Sequence, residues 1–437
     1  MTQCYQNSLE FPRVRRRVVE ARFDGGEITS NGGALLLRQA DRYSGLTQAV
    51  ADALSDPRRR KSCVHDVRSL LRQRIYALAL GYEDLNDHAT LRGEVGLQTA
   101  VEREGALASA STLCRFENRA DRAAAWRLHA VLVEQFIASF DTAPKELVLD
   151  FDATDDAVHG EQAGRFFHGY YRQYCFLPLY VFCADQLLVS YLRPSNIDAA
   201  KHSWAILSLL VKRLRRAWPE VRIVFRADSG FCRFRLLRWC ERHGVDYIVG
   251  LAKNSRLNAL TGAHQAQAAA RFAQTGEKVR RFTQLQYGAR SWDRARRVIA
   301  KIEHTGHGAN PRYIVTSLPD EPQVLYERLY CARGDMENCI KQNQLDLFAD
   351  RTSCRQWWAN QFRLLLASLA YTLVETIRRV GLRGTALARA YAGTIRLKLF
   401  KIGAVIVSNT RRVRFLLASS CPDQDLYFLV ARRLAGG

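Results

Sequence analysis

The pattern of apolar and polar positions divides the chain into segments with strand-like and helix-like periods. The clearest strand signal is the segment ELVLDFDATDD at 146–156, where Leu147, Val148, Leu149 and Phe151 are apolar. The pattern then predicts, in chain order, a strand at 146–156, a hairpin at 177–192, a helix at 198–218, a strand at 221–225, a helix at 234–243 and a strand at 247–251. Three antiparallel strands followed by alternating helices and strands predict a mixed α/β sheet.

The segments on either side of this sheet have other periods. Residues 1–140 contain mainly helical patterns, including an amphipathic helix from Val67 to Tyr82 whose polar face carries Arg72 and Arg74. Strand-like runs return between 254 and 319. The predicted fold class is therefore α/β, a ribonuclease H-like mixed-sheet core with an inserted β-rich unit, preceded by an all-helical N-terminal domain.

These changes of period predict five segments along the chain. They are a helical basic domain at 1–140, the first part of the core at 141–253, the β-rich insertion at 254–319, a helical second part of the core at 320–399 and a C-terminal hairpin and tail at 400–437.

The balance of charges indicates the kind of partner. The 437 residues include 65 lysines and arginines against 43 aspartates and glutamates, a net charge of +22. This excess is larger than surface solvation needs, since soluble surfaces mix both signs, and nucleic acid is the polyanion it favours. No apolar run approaches the roughly 20 residues of a membrane span, and residues 1–20 lack the apolar core of a signal peptide. We expect a cytoplasmic protein without a membrane partner.

The eleven cysteines give no sign of a metal or redox site. None of them forms a Cys-x-x-Cys pair, so neither a zinc knuckle nor a dithiol redox motif is predicted. Most have apolar neighbours and are expected to be small, buried and reduced.

Acidic residues at the ends of the predicted strands are the candidates for chemistry. Alternation places Asp150 and Asp152 on one face of their strand, opposite Leu149 and Phe151. A carboxylate near the end of a buried strand is costly unless it is paired or binds a cation. Taken alone, the stretch is explained equally well as an ordinary turn, in which aspartate is a common cap.

Two later carboxylates favour a metal site. Asp228 follows the strand predicted at 221–225, and Glu337 lies on a helix beyond the β-rich segment. Hard cations such as Mg²⁺ prefer oxygen ligands, and two of them can activate a water or a 3′-hydroxyl at a phosphodiester. The hypothesis is that Asp152, Asp228 and Glu337 converge around two Mg²⁺ or Mn²⁺ ions, although no spacing rule forces them together.

Four segments carry a resemblance to a known family. They are LDFDATDDAVHGEQAGRFFHGYY (149–171), LVSYLRPSNIDAAKH (188–202), VRIVFRADSGFCRFRLLRWC (221–240) and ERLYCARGDMENCIKQNQLDLFADR (327–351). The chain resembles the DDE transposases of bacterial insertion sequences, most closely the insertion-sequence 1380 family. The last segment fits the Tyr–x2–Arg–x3–Glu signature of related cut-and-paste transposases as Tyr330, Arg333 and Glu337.

The resemblance implies which acids are catalytic. Asp152, Asp228 and Glu337 match the catalytic, metal-binding triad of the family, and Asp150 is the alternative for the first position. The family further implies a helical DNA-binding domain, double-stranded DNA as the partner and a homodimer in the synaptic complex.

The resemblance also implies DNA contacts near the triad. Arg333 and Tyr330 are expected near a terminal phosphate, whereas the ordinary interpretation of Arg333 is a surface ion pair with Glu337 four residues on. The family signature ends in a lysine seven residues after the glutamate, and Gln344 stands there in this chain. Lys341, one helical turn beyond Glu337, is the alternative positive charge.

Three residues outside the signature complete the predicted DNA contacts. Trp292 lies in the β-rich segment, where related transposases stack a tryptophan on a flipped base; a core position is the plainer alternative. Arg115 and Arg119 lie on a predicted short helix that would suit a DNA groove, but many surface helices look the same.

The expected function is metal-dependent DNA cleavage and strand transfer in cut-and-paste transposition, at terminal inverted repeats and a target site. The first alternative is a decayed or co-opted DNA-binding protein. A nuclease that cuts without joining is the second, and a structural polyanion-binding protein is the most distant.

Overall fold

The computed structural model describes residues 8–59, 61 and 63–436. The first seven residues of the predicted N-terminal domain thus lie outside the described residues. The strands are β1 Leu9–Val14, β2 Arg17–Ala21, β3 Ile28–Thr29, β4 Glu146–Ala153, β5 Asp156–Ala157, β6 Phe166–His168, β7 Gln173–Phe176, β8 Leu179–Cys183, β9 Gln186–Tyr191, β10 Arg222–Ala227, β11 Asp246–Leu251, β12 Val279–Tyr287, β13 Arg296–Thr305, β14 Gly308–Ala309, β15 Arg312–Thr316, β16 Ala404–Asn409 and β17 Arg412–Leu417.

The helices are given next in chain order. They are α1 Ala34–Ser44, α2 Leu46–Ala53, α3 Val67–Leu80, α4 His88–Leu91, α5 Val95–Val101, α6 Ala110–Glu117, α7 Arg122–Ala138, α8 Ser203–Ala217, α9 Phe234–Arg242, α10 Ser255–Leu260, α11 Gly262–Thr275, α12 Pro322–Val324, α13 Arg333–Lys341, α14 Trp357–Thr376, α15 Ala392–Ile395 and α16 Gln424–Leu434. π-Helical turns lie at Leu325–Tyr330, Gln342–Asp346, Ile377–Gly381 and Arg396–Phe400. Within the described part of the chain, no helix is both long and apolar enough to cross a membrane.

The chain divides into two compact units. The first contains Met1–Ala51, Asp56–Phe116 and Thr376–Gly437, and the second contains Asp52–Ser55 and Glu117–Glu375. These units do not coincide with the five segments predicted from the sequence. The division into five functional segments stays a prediction.

The second unit is built on one nine-stranded mixed sheet. Its strand order is β12-β13-β15-β11-β10-β4-β8-β9, with β14 paired to β13. Strands β4, β10 and β11 run parallel to one another, and β8 and β9 continue from β4 as an antiparallel meander. The predicted order of three antiparallel strands followed by helix, strand, helix and strand is therefore confirmed.

Alternation along the central strands separates two buried layers. Leu149 and Phe151 of β4 join Phe225 of β10 in the larger apolar cluster, where the Phe151 and Phe225 rings lie 5.0 Å apart edge to face. Val224 and Ile248 point to the opposite side, into a smaller cluster with residues of the segment before α13. The acidic positions of β4 lie on this second side of the sheet.

The predicted β-rich insertion does not form a sheet of its own. Its strand β15 pairs antiparallel with β11, so that β15, β13 and β12 extend the central sheet. The reason is apolar continuity: Val298, Ile299 and Val315 are fully buried, as the residues of an inner strand are.

The expectation of an all-helical N-terminal domain is wrong. Strands β1 and β2 pair as an antiparallel hairpin, and β3 pairs with β16 in a three-stranded sheet that β17 completes. Arg15 and Arg16 form the turn of the hairpin, where Arg15 has φ 57°. The strand signal was the alternation of Leu9 and Phe11 with Glu10 in β1 and the β-branched pair Val18 and Val19 in β2.

Helix α3 is also buried more completely than an amphipathic helix would be. Arg72, predicted on its polar face, pairs with the buried Asp41 at 3.0 Å and with Glu102 at 2.5 Å. Arg74 is buried as well, 3.2 Å from a ring nitrogen of His88. Burial of the imidazole, together with the positive charge of Arg74, lowers the pKa of His88 to about 3. Both arginines are therefore internal ion-pair and hydrogen-bond partners.

Candidate functional site

The parallel pairing of β4 and β10 brings two of the predicted acids to the same edge of the sheet. Phe151 pairs with Ala227, and Asp152 and Asp228 are the next residues on the two strands. Asp228 begins a short 3₁₀ turn, where its carboxylate accepts a hydrogen bond of 2.9 Å from the Gly230 N–H. Asp152 accepts one of 2.9 Å from the Ala153 N–H.

Helix α13 supplies the third acid and an arginine. Arg333 and Glu337 are one helical turn apart, and the Arg333 Nη2 lies 2.6 Å from the Glu337 Oε1. The other terminal nitrogen of the same guanidinium, Nη1, lies 3.5 Å from the Asp152 Oδ2. Arg333 therefore contacts the strand acid and the helix acid at once.

The electrostatics of Asp152 show a shortage of positive charge. Burial, together with the carboxylates of Asp228 and Glu337, raises the pKa of Asp152 to about 7, although Arg333 lowers it. The three acids are thus close enough to act on one another. A divalent cation would favour the ionised form that burial opposes.

Asp150, the alternative for the first acid, has a different environment. It is directly opposite Arg226 in the β4–β10 register, and the two side chains form a two-pronged ion pair. Arg226 also donates to the backbone oxygen of Leu329. Burial raises the pKa of Asp150, although Arg226 lowers it. Since both of its oxygens are already bonded to Arg226, Asp150 is a poor candidate for a metal ligand.

Gly250 and Tyr330 complete this edge of the sheet, and the sequence analysis missed the glycine. A Cβ atom on Gly250 would lie 2.6 Å from the Tyr330 hydroxyl and 2.7 Å from the Ser229 nitrogen. Only glycine therefore lets β11 approach the turn after Asp228. Burial raises the pKa of Tyr330, and Asp228 adds to the rise, whereas Arg333 lowers this pKa. A glycine inside a predicted strand was the available signal.

The donor set fits a hard divalent cation, while the arrangement shows an arginine between two of the donors. Among the residues that the structure describes, no three or more histidine, cysteine or acidic side chains are close enough to hold one metal ion. Asp152, Asp228 and Glu337 nevertheless offer only carboxylate oxygens, which Mg²⁺ and Mn²⁺ prefer. The raised pKa of Asp152 is consistent with that fit.

A comparison with protein families decides what kind of protein this geometry belongs to. The family model described as transposase DDE domain group 1 matches residues 11–436. The chain belongs to this family.

Other comparisons place this transposase at a distance from known proteins. No curated protein matches it. A solved structure described as a cryo-EM structure of a piggyBac transposase synaptic complex with hairpin DNA is similar with a TM-score of 0.43 and 11% sequence identity. The similarity covers 84% of this chain and 78% of that chain.

Two positions near the end of α13 bear on the phosphate contact expected of a transposase. Lys341 is exposed at the last residue of the helix. Gln344, where the family signature has a lysine, donates a hydrogen bond of 3.0 Å to the backbone oxygen of Asp155. Gln344 therefore ties the helix to the loop after β4, and Lys341 is left as the exposed cation.

The other predicted DNA contacts lie on other elements of the chain than the acids. Trp292 is partly buried, its ring 5.6 Å from that of Tyr287 and 5.4 Å from the Arg296 guanidinium. Arg115 on α6 is exposed and bonds to Thr112 at 3.3 Å, and Arg119 is exposed after the same helix. Their predicted roles in DNA binding stay predictions, and the packing of Trp292 agrees with the core alternative.

Proposed function

We propose that this transposase cleaves DNA at the ends of a mobile element and joins those ends to a target, in a metal-dependent cut-and-paste reaction. The observation that carries the proposal is the convergence of Asp152 and Asp228 at one sheet edge, with Arg333 linking Asp152 to Glu337. The family membership and the net charge of +22 support DNA as the substrate. Within this proposal, the core is ribonuclease H-like and the branch is that of insertion sequence 1380.

The three carboxylates would hold two Mg²⁺ or Mn²⁺ ions. Metal bound there supplies Lewis-acid activation of a water or a 3′-hydroxyl and stabilises the leaving oxygen. The protein's own part is to place Asp152 beside Asp228 at the sheet edge and to aim Glu337 from α13. In-line displacement needs no covalent protein intermediate, so no serine or tyrosine nucleophile is required.

Arg333 has a second role in this proposal. In the metal-free arrangement its guanidinium balances Asp152 and Glu337. When cations take over that charge, the guanidinium is free to bind a DNA phosphate, for which its planar fork is suited. Tyr330 and Lys341 would flank the same phosphate. A homodimer would hold two inverted repeats together in the cytoplasm.

The experiment uses labelled duplexes made from the DNA that flanks the gene on either side, incubated with the full chain and Mg²⁺ or Mn²⁺. Wild type is compared with Asp228→Asn and with Asp335→Asn, the same change at an exposed acid of α13. We expect wild type and Asp335→Asn to cleave at the repeat boundary and to yield strand-transfer products. Asp228→Asn should bind the DNA without cleaving it. Cleavage by Asp228→Asn would reject the metal triad, and cleavage without joining would indicate the nuclease.

One observation favours the alternative of a co-opted DNA-binding protein. Gln344, in the place of the signature lysine, carries no charge and is bonded to the backbone of the loop at Asp155. If wild type binds the flanking DNA specifically but does not cut it in either metal, this alternative replaces the transposase. Gln344→Lys would then be the first variant to test for recovered cleavage.

A further inference from the structure

A small three-stranded sheet directly follows the strand that carries Asp152. Its strands have the order β5-β7-β6, and β6 and β7 form a hairpin in which Phe167 pairs with Tyr174. We call residues 156–176 the aromatic arm. Residues 165–172, RFFHGYYR, are rich in arginine and aromatic side chains, and the proposed reaction gives them no role.

The aromatic arm exposes several large rings close together. Tyr170, in the turn of the hairpin, is 84% exposed, and Phe166, Phe167 and Tyr174 are between 42% and 57% exposed. The Phe167 and Tyr174 rings lie 5.6 Å apart, and the Tyr170 and Tyr171 rings lie 5.0 Å apart. Single exposed hydrophobic residues are ordinary, but a cluster of exposed rings marks a binding surface.

The base of the aromatic arm is held firmly, so the exposed rings stand on a fixed support. The buried Phe176 packs edge to face on Trp357 at 5.4 Å. The Ser195 hydroxyl donates to the backbone oxygen of Phe166 at 2.9 Å, and the Thr352 hydroxyl donates to Asp156 at 2.8 Å. Rings on a rigid support lose little conformational entropy when a ligand stacks on them.

The aromatic arm also adjoins the acids of the candidate site. Gln173 Nε2 donates a hydrogen bond of 2.5 Å to Asp155, which lies three residues after Asp152. Burial raises the pKa of Tyr171 to about 12, and the charges of Asp155 and Asp152 contribute to that rise, so Tyr171 lies within their field. The hairpin that carries the rings is therefore bonded to the loop that directly follows β4 and Asp152.

The charges on the aromatic arm suit a nucleic acid. The Arg165 guanidinium lies over the Tyr174 ring, 4.7 Å from its centre, and Arg172 is exposed in the hairpin turn. Stacking platforms for unpaired bases combine aromatic rings with arginines that attract the phosphates. A second copy of this chain carries the same positive net charge and would be repelled by these arginines, whereas DNA would be attracted.

We propose that the aromatic arm stacks on unpaired nucleobases of a DNA end held at Asp152, Asp228 and Glu337. This inference rests on the proposed function for the identity of the DNA end. The binding itself requires no metal and no cleavage, and it is therefore measured without them.

The experiment uses the full chain in chelator and an oligonucleotide of about 20 nucleotides with one 2-aminopurine, longer than the site of a single stacking platform. The same sequence is also tested as a duplex. The test variant is the double change Phe167→Ala and Tyr170→Ala. Tyr170→Phe keeps the ring, and Phe428→Ala removes an exposed ring of α16 elsewhere on the chain.

We expect wild type, Tyr170→Phe and Phe428→Ala to bind the single strand equally and to change the 2-aminopurine fluorescence by stacking. The double variant should bind the single strand on the order of tenfold more weakly for each ring removed, with duplex binding changed less than about twofold. Single-strand binding equal to wild type would overturn the inference. So would an equal loss for duplex, or a change in oligomeric state by light scattering, which would assign the rings to contacts between copies.

The two proposals fail separately. A chain that does not cleave but loses single-strand binding in the double variant keeps the stacking surface and loses the transposase reaction. A chain that cleaves, and whose double variant binds single strands as wild type does, keeps the reaction and loses the stacking surface.

Discussion

Two aspartates on the same face of β4 have opposite environments. Asp150 is 2% exposed, and both of its oxygens are bonded to Arg226 across the strand pair. Two residues further on, Asp152 reaches one nitrogen of Arg333 at 3.5 Å and shares that arginine with Glu337. The first carboxylate has a complete set of partners, and the second does not.

The difference separates a carboxylate with a structural partner from the carboxylate that we propose for the chemistry. A buried charge is tolerated when its partner is close and its hydrogen bonds are complete, as at Asp150. A buried carboxylate left short of positive charge is held for a ligand that arrives later. Asp152 has this second character, and its neighbours Asp228 and Glu337 increase the shortage.

The largest effect expected concerns the chemistry of Asp152. Asp152→Asn should lower the rate of DNA cleavage at least about a thousandfold, since a lost metal ligand removes several kcal/mol of transition-state stabilisation. Cleavage is measured on the flanking duplexes, with DNA binding measured by gel shift. Asp335→Asn on α13 is the control. If Asp152→Asn cleaved normally, the two aspartates would not differ in the way proposed.

The second effect concerns stability and should fall on Asp150 instead. Asp150→Ala leaves Arg226 buried without its carboxylate and should reduce the free energy of unfolding by about 3 kcal/mol. Asp152→Ala should cost much less, because it also removes repulsion from Asp228 and Glu337. Urea unfolding measures both variants. The double change Asp150→Leu and Arg226→Met should recover most of the loss, and equal losses at 150 and 152 would erase the contrast.

The third prediction concerns pH. The pKa of Asp152 is raised from 3.8 to about 7 in the folded, metal-free chain, so folding binds a proton between these values. The contribution of Asp152 to stability is therefore present below about pH 4 and declines as the pH rises to about 7. Metal binding needs the ionised carboxylate, so Mn²⁺ affinity should rise up to tenfold per pH unit below pH 7 and level off above it.

Calorimetric titration with Mn²⁺ between pH 5.5 and pH 8, on either side of the Asp152 midpoint, measures the pH dependence of the Mn²⁺ affinity. The comparison of wild type with Asp152→Asn separates the contribution of Asp152 from those of the other buried acids, because the pKa values of Asp150 and Asp156 are also raised. A pH slope of the unfolding free energy that is unchanged in Asp152→Asn would contradict the assignment.

The smallest effect concerns the arginine that Asp152 shares. Arg333→Gln removes a positive charge that competes with the cation. Mn²⁺ affinity without DNA should increase by only about fivefold, because the long arginine side chain of wild type can turn away when the cation binds. Cleavage should nevertheless fall, because the phosphate contact is lost. Arg328→Gln, at an exposed arginine of the preceding turn, is the control. Weaker metal binding in Arg333→Gln would mean that Arg333 helps to assemble the acids.

The sequence predicted the central sheet well because its strands are apolar on both faces. The apolar runs around Leu149, Phe225 and Val249 are stable mainly as inner strands of a sheet, where both faces are buried. The β1–β2 hairpin was missed because its residues are largely exposed, so its alternation has no apolar face to stand out. Local pattern is informative where burial selects the residues.

The sequence predicted the acids of the site but not the ion pairs that they form. The acids at 152 and 228 follow from strand ends, whereas the pairing of Asp150 with Arg226 depends on the parallel register of β4 and β10. The burial of Arg72 and Arg74 in α3 was missed for the same reason, since Asp41 and His88 lie far away in sequence. Partners distant along the chain are set by tertiary packing, which a periodic pattern does not encode.

The close approach at Gly250 has a use for reading genomes. A mobile element leaves many copies, and most accumulate changes without any biochemical record. Any side chain at position 250 would collide with the Tyr330 hydroxyl and the Ser229 nitrogen, whichever residue replaced the glycine. We therefore expect a copy with intact acids to be impaired when its codon 250 specifies any residue other than glycine, so this one position helps to separate dormant copies from those that can still move.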